Sequence, residues 1–190
     1  MDKIKLGVLV GGTSIEREVS KKSCENLLAN LDENKYDITV YHLPADGNTE
    51  WAKNIISNPP QIVLSALHGG NGENGSIQGF LHCLNIPYIG SKVLSSAICM
   101  NKAMAKTVMK ANHIQVPDHV FVMRGVDFSQ YEESIKLMGF PLIVKPNRGG
   151  SSIGVIVARN MEDIHYGIKN IMETYDDDVL IEKFIDGKEI

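Results

Sequence analysis

The 190-residue sequence holds only three cysteines, Cys24, Cys83 and Cys99, and no Cys-x-x-Cys pair. That scarcity excludes a disulfide framework and a thiolate zinc or redox site, and predicts reduced, mostly buried thiols of the kind kept in a cytosol. Long apolar runs are missing as well. The early run at residues 6–10 is too short for a secretory signal and leads straight into Gly11-Gly12, and no later stretch approaches membrane-spanning length. Positive charge is scarce too: 19 Lys+Arg stand against 23 Asp+Glu, a formal net charge of -4, with no long basic run. Such a balance disfavours a nucleic-acid surface, so any phosphate-bearing partner should be small and met by local lysines. Internal repeats and low-complexity segments are absent. The expectation is a cytoplasmic chain with neither a nucleic-acid nor a membrane partner.

What is present, 43% hydrophobic residues, can build one large core or two small ones. Periodicity predicts a buried strand over residues 4–10, a glycine turn, and a helix carrying Ile15, Val19, Leu27, Leu28 and Leu31 on one face, with Thr13 as its N-cap. A strand over 36–43, a helix over 51–56 and a strand over 61–66 behind the breaker Pro59-Pro60 follow, then a helix over 76–84 and a short strand over 87–89. Strands alternating with helices imply an α/β domain with a doubly wound parallel sheet, residues 1–100. The pattern then changes to a helix (102–111), a strand (119–122), a helix (130–137), two strands flanking a glycine loop, a helix (161–173) and a strand from 179. Paired strands with helices on one side describe an α+β lobe, residues 101–190. The run Asp176-Asp177-Asp178 reads as a solvated turn without a role, since three consecutive acids cannot all face one ion.

Residues 142–155 read Leu-Ile-Val-Lys-Pro-Asn-Arg-Gly-Gly-Ser-Ser-Ile-Gly-Val, two apolar strands around a loop rich in glycine and hydroxyls. One reading is a phosphate grip: Gly149, Gly150 and Gly154 turn several N–H groups toward one anion, Ser151 and Ser152 add donors, and Lys145 adds charge. The other is a solvent-exposed hairpin with a surface lysine. Ligands of an open parallel sheet gather beyond the carboxyl ends of its strands. Two segments emerge from such ends, residues 11–20 after the first strand and 68–79 after the third. The glycines at 7, 11 and 12 do not follow G-x-G-x-x-G, which disfavours a nicotinamide-dependent dehydrogenase. Glu16 completes a capping box with Thr13, or its carboxylate holds an ammonium group in the crevice. His68 is either a satisfied loop histidine or a site residue. The five glycines between 69 and 79 indicate a backbone that must approach a ligand or another segment closely.

Six spaced segments carry a family resemblance: Gly-Gly-Thr-Ser-Ile-Glu-x-x-Val-Ser (11–20), His-Gly-x-x-Gly-Glu-x-Gly-x-x-Gln-Gly (68–79), Ile-Pro-Tyr-Ile-Gly-Ser (86–91), Met-Asn-Lys (100–102), the glycine loop, and Ile-Glu-Lys-Phe-Ile-x-Gly-x-Glu (181–189). In order and spacing they resemble D-alanine-D-alanine ligases of the ATP-grasp superfamily. The resemblance implies a Rossmann-like pre-ATP-grasp domain followed by the first lobe of an ATP-grasp domain. It implies ATP-dependent joining of two D-alanines through an acyl phosphate, for peptidoglycan synthesis, with ATP and D-alanine as ligands and a homodimer formed through the first domain. Carried onto this sequence, Glu16 would hold the ammonium of the first D-alanine, Ser151 would orient that glutamate, and His68 would lie beside the same substrate. Lys102 and Lys145 would contact ATP phosphates under the closing loop at 148–154, with Ser152 among its donors. Glu182, Lys183 and Ile185 would form the adenine edge and Glu189 would meet the ribose. Lys102 at a helix start and Lys145 at a strand end also fit plain surface lysines, and alternation over 179–185 also fits an ordinary strand.

Asn74 and Asn101 stand where the family usually has aspartate, and each keeps a side chain able to cap or hydrogen-bond. Asp186-Gly187 signals a hairpin whose returning strand is missing. Family ligases continue by roughly another domain's length. That portion carries the acids for Mg²⁺ or Mn²⁺ and an arginine at the reacting centre, so the 190 residues are expected to be weakly active or inactive alone. A D-alanine-D-lactate or D-alanine-D-serine ligase, or a non-catalytic binding or dimerisation module, are the alternatives.

Overall fold

The computed structural model describes residues 2–188. The chain divides into two compact units, Met1–Ala97 and Ile98–Ile190. In the first, strand β1 (Ile4–Gly11) lies between β2 (Tyr36–Leu43) and β3 (Ile62–Ser65), both parallel to it. The alternation along β1 makes it central: Leu6, Val8 and Val10 pack on one face with Cys24, Leu27 and Leu28 of helix α1 (Arg17–Asn30), while Leu9 packs on the other. There it meets Ile55 of α2 (Glu50–Ser57) and Ile77 and Leu81 of α3 (Ser76–Cys83). Burial on both faces of a three-stranded parallel sheet is the doubly wound arrangement read from the sequence.

Several local expectations are corrected. Helix α1 begins at Arg17 with Glu16 as N-cap, so Thr13 is not the cap and Glu16 closes no capping box. The chain turns earlier instead: Ser14 accepts the Glu16 N–H at 3.1 Å and its carbonyl accepts that of Arg17. Ile15 therefore precedes the helix and is exposed, as is Val19, and the buried stripe starts with Ser20 and Cys24. The strand expected over 87–89 shrinks to one bridge, Val63 to Tyr88, because the chain touches β3 only there before a helix, α4 (Val93–Met100), that the sequence reading had not placed. Of the cysteines only Cys24 is buried; Cys83 and Cys99 lie on the outer sides of their helices.

The second unit is an antiparallel sheet in the order β4 (His119–Val122), β7 (Val179–Lys183), β5 (Leu142–Pro146), β6 (Ile156–Ala158). Helices α6 (Ser129–Met138) and α7 (Met161–Thr174) cover one face, where Leu142, Val144, Val179 and Ile181 form a core with Ile135, Ile164, Ile168 and Ile171. The period of two sends Ile143, Lys145, Leu180 and Glu182 to the opposite face. This is the expected α+β lobe. Helix α5 (Lys102–Ala111) is capped by Asn101, whose Oδ1 accepts the Met104 N–H at 3.1 Å, so asparagine does the work of the usual aspartate. Asn74 likewise accepts the Ser76 N–H at 3.0 Å where α3 starts. Asp186-Gly187 forms no tight turn among the described residues.

Candidate functional site

In the first unit the segments after β1 and β3 share a cavity of about 140 Å³, lined by Gly11 to Ser14, by His68, Gly69, Asn71 and Gly72, and by Trp51 and Leu67. Both strands point their carboxyl ends here, and Ser20 holds the exit of β1 by accepting the Gly11 N–H at 2.8 Å. Gly69 has φ +65°, and a Cβ there would collide with the Glu16 carboxylate and the Ser14 hydroxyl. That glycine is present because the Glu16 carboxylate lies against its Cα, as the glycine density had suggested. The His68 Nε2 lies 2.8 Å from Ser23 Oγ, which fixes the ring beside the cavity.

The second unit brings Lys102, Lys145 and Glu182 together. Lys145 and Glu182 sit on neighbouring antiparallel strands, offset diagonally on one face, and form an ion pair. Lys102 enters from the start of α5. The docking of that helix explains its position: Asn147, fully buried, accepts the Ala103 N–H on Oδ1 at 3.0 Å and the Lys102 N–H on its carbonyl at 3.1 Å. The Lys102 ammonium reaches on to the Gly149 carbonyl in the glycine loop. Burial, and next the Lys145 charge, hold this ammonium below the ordinary lysine value of 10.5, with Asp177 and Glu182 pulling the other way. A folded value below the unfolded one means that the penalty on the charged form is complete below the folded pKa and fades as pH rises toward 10.5. The fold therefore holds the Lys102 charge at a cost at neutral pH, a condition common among lysines of functional sites. In acylation at stepped pH with peptide mapping, Lys102 should gain reactivity with a midpoint below 10.5; a midpoint at or above that value would refute this account.

Three residues of this unit were missed. Lys106, one turn after Lys102, places Nζ 2.8 Å from Glu182 Oε2. The i to i+4 spacing of the two lysines was the available signal. Burial pushes the Glu182 carboxyl up, but the paired Lys106 and Lys145 ammonium groups outweigh it and hold the group below the ordinary glutamate value. The aspartates read as a solvated turn are the second correction. Asp177 is buried and accepts the Arg148 N–H at 2.6 Å, while Asp178 accepts the Arg124 N–H at 3.0 Å and meets the Arg148 guanidinium at 2.6 Å. They anchor the base of the glycine loop, a contact across about thirty residues of chain that composition does not reveal.

Within the loop the left-handed angles fall on Ser151 (φ +51°), Ser152 (φ +57°) and Gly154, not on Gly149 or Gly150. Left-handed serines cost roughly 1–2 kcal/mol each and mark a loop held in shape by its surroundings. Lys183, the last residue of β7, and Ile185 beyond it are exposed, and the Lys183 N–H bonds the Asp118 carbonyl at 2.9 Å. Glu189 lies outside the described residues. Among the described residues no group of three His, Cys, Asp or Glu is placed to hold a metal ion. The acids nearest the lysines, Glu182, Asp177 and Asp178, are already engaged by Lys and Arg. No described helix is long and apolar enough to cross a membrane.

Two family models match in sequence order, D-ala D-ala ligase N-terminus over residues 49–91 and D-ala D-ala ligase C-terminus over residues 108–190. The chain is 41% identical over 188 residues to a D-alanine--D-alanine ligase of Bacillus anthracis, covering 98% of this chain and 59% of that protein. A crystal structure of the Bacillus anthracis D-alanine--D-alanine ligase complexed with ATP superposes with a TM-score of 0.81 at 35% identity, over 98% of this chain and 58% of that one. The VanG D-Ala:D-Ser ligase of Enterococcus faecalis gives 0.82 at 27% identity, over 98% and 64%. The chain thus spans about three-fifths of the length of the curated relatives it matches. With both family models present in order and its own fold shared with those ligases, the chain belongs to the D-alanine-D-alanine ligase family.

Proposed function

We propose that the protein takes part in the ATP-dependent ligation of two D-alanines to D-alanyl-D-alanine, in the cytoplasm, for peptidoglycan synthesis. The observation that carries this reading is the convergence of Lys102 and Lys145, from separate elements, at the root of a shaped glycine loop. The first unit serves as the pre-ATP-grasp domain, ending near residue 100, and as the surface through which two copies pair. The second is the first lobe of an ATP-grasp domain.

In the reaction, a carboxylate oxygen of the first D-alanine attacks the γ-phosphorus, and the bond to the ADP oxygen breaks. The amine of the second D-alanine then attacks the acyl carbon, phosphate departs, and the amine gives up a proton. Glu16 and His68 bind the first D-alanine, the carboxylate pairing with its ammonium. Lys102 and Lys145 balance charge on the phosphates as it shifts toward ADP, a stabilisation strongest where water is excluded. Ser151 and Ser152 shape the loop over the nucleotide, and Glu182, Lys183, Ile185 and Glu189 form the adenine and ribose edge. Divalent metal is outside what these residues hold, so no step here runs through it.

The test is an NMR titration of the 190-residue chain. ADP should shift amides at Lys102, Lys145, 148–154 and 182–185 with a dissociation constant near millimolar, roughly -4 kcal/mol of binding. D-alanine should shift those around Glu16 and His68, without D-alanine-dependent phosphate release. Absence of any ADP response at these positions defeats the nucleotide reading, and ordinary turnover defeats the expectation of weak activity.

A further inference from the structure

Lys106 enters neither the sequence motifs nor the reaction above, yet its side chain is only 13% exposed. A lysine withdrawn from water is costly unless its charge is met, and here one group meets it, the Glu182 carboxylate. Glu182 divides its two oxygens: Oε2 faces Lys106 from helix α5 and Oε1 faces Lys145 from strand β5. Its side chain is 10% exposed and that of Lys145 is 20% exposed, so water screens this arrangement weakly. Lys102 projects from the same helix one turn earlier, where the Lys145 charge repels its ammonium and the Asp177 and Glu182 carboxylates attract it.

Without Lys106, the Glu182 carboxylate would be free to give both oxygens to Lys145. A phosphate would then have to displace a full anion to win that lysine. With Lys106 in place one oxygen is already engaged, and Lys145 is held by a shared charge. We propose that Lys106 is a positioning residue that acts through Glu182 to keep Lys145 available to a nucleotide phosphate. This rests on the nucleotide reading above. Lys106 itself touches no phosphate; because Glu182 also belongs to the adenine edge, its effect reaches the base slightly and is much larger for ligands that carry a phosphate.

The experiment compares ADP with adenosine, which offers the base and ribose without phosphates, by NMR titration of the 190-residue chain. Lys106→Met should weaken ADP binding about tenfold and leave adenosine within about twofold, and Lys106→Arg, which restores the charge, should recover ADP to within about threefold. In a Lys145→Met background the Lys106→Met change should add no further loss for ADP, since its route through Lys145 is gone. Equal losses for ADP and adenosine, or an undiminished loss in the Lys145→Met background, would show a merely structural lysine and overturn the inference. If the unaltered chain binds neither ligand, the nucleotide reading itself fails, and this inference fails with it. Should Lys106→Met not fold, Lys106→Gln is judged by the same ADP-to-adenosine ratio.

Discussion

Replacing Glu182 with alanine should cost the second unit about 3–5 kcal/mol, a large share of a domain's stability, because it leaves two largely buried lysines without their common anion. The carboxylate holds α5 to the sheet through Lys106 and ties β7 to β5 through Lys145, so its loss is felt where three elements meet. Hydrogen exchange at β5 and β7 amides is the suitable measure. Trp51, the single tryptophan, lies in the first unit and reports on that one instead. Glutamine at this position keeps the shape without the charge and should fall between alanine and the native residue. The pH dependence follows from the direction of the shift. With its folded value held below the ordinary 4.5, Glu182 stabilises the fold above 4.5, and that contribution is lost as pH falls through the folded value. The Glu182→Gln variant should therefore show a flatter acid limb. A loss below about 1 kcal/mol for the alanine variant would mean that the cluster behaves like an exposed ion pair, and the account of it would be wrong.

Alanine at Gly11 should be the most damaging small change in the first unit. This residue sits where β1 ends and the loop toward Glu16 begins, with φ +96°, and a Cβ would run into the Leu43 carbonyl oxygen. That oxygen is backbone and already accepts the Gly12 N–H at 2.7 Å, so it has no inexpensive way to move. Positive φ on alanine and the forced separation of β1 from β2 each cost roughly 1–3 kcal/mol, so about 3 kcal/mol or more in all is expected. Urea unfolding followed by Trp51 emission reads it directly, since Trp51 packs edge-on against Phe80 at 5.4 Å inside this unit. The same variant should displace residues 12–16 and weaken D-alanine shifts around Glu16. Destabilisation under about 1 kcal/mol would show that β1 and β2 part easily here, contrary to the buried packing on both sides.

Both changes show how differently the parts of this chain were legible. The strand Tyr36–Leu43, the helix Lys102–Ala111 and the strand His119–Val122 agree with their sequence reading to the residue. Each is set by local information: an apolar period, a capping residue, and a proline or glycine at the border. The α1 boundary failed for an equally local reason. Thr13 looks like the cap, but the chain takes a turn in which Ser14 serves Glu16 while Ser20 is drawn onto the end of β1. The strand expected over 87–89 failed because one contact with β3 does not make a ladder, and no pattern within three residues tells how long a pairing lasts.

The sequence by itself determined the family, the α/β character of the first unit and the α+β character of the second, along with the segments proposed to carry the chemistry. Those properties are carried by periodicity and by short motifs whose residues are neighbours in the chain. Tertiary structure alone decided that Lys106 joins Lys145 on Glu182, and that Asp177 and Asp178 leave solvent to anchor the glycine loop. It also placed the left-handed turn on Ser151 and Ser152. The Lys145 to Glu182 pair spans 37 positions, and its partners meet through the register of β5 on β7. A charge's role depends on which opposite charge shares its dry surroundings, and only the packed chain settles which groups those are.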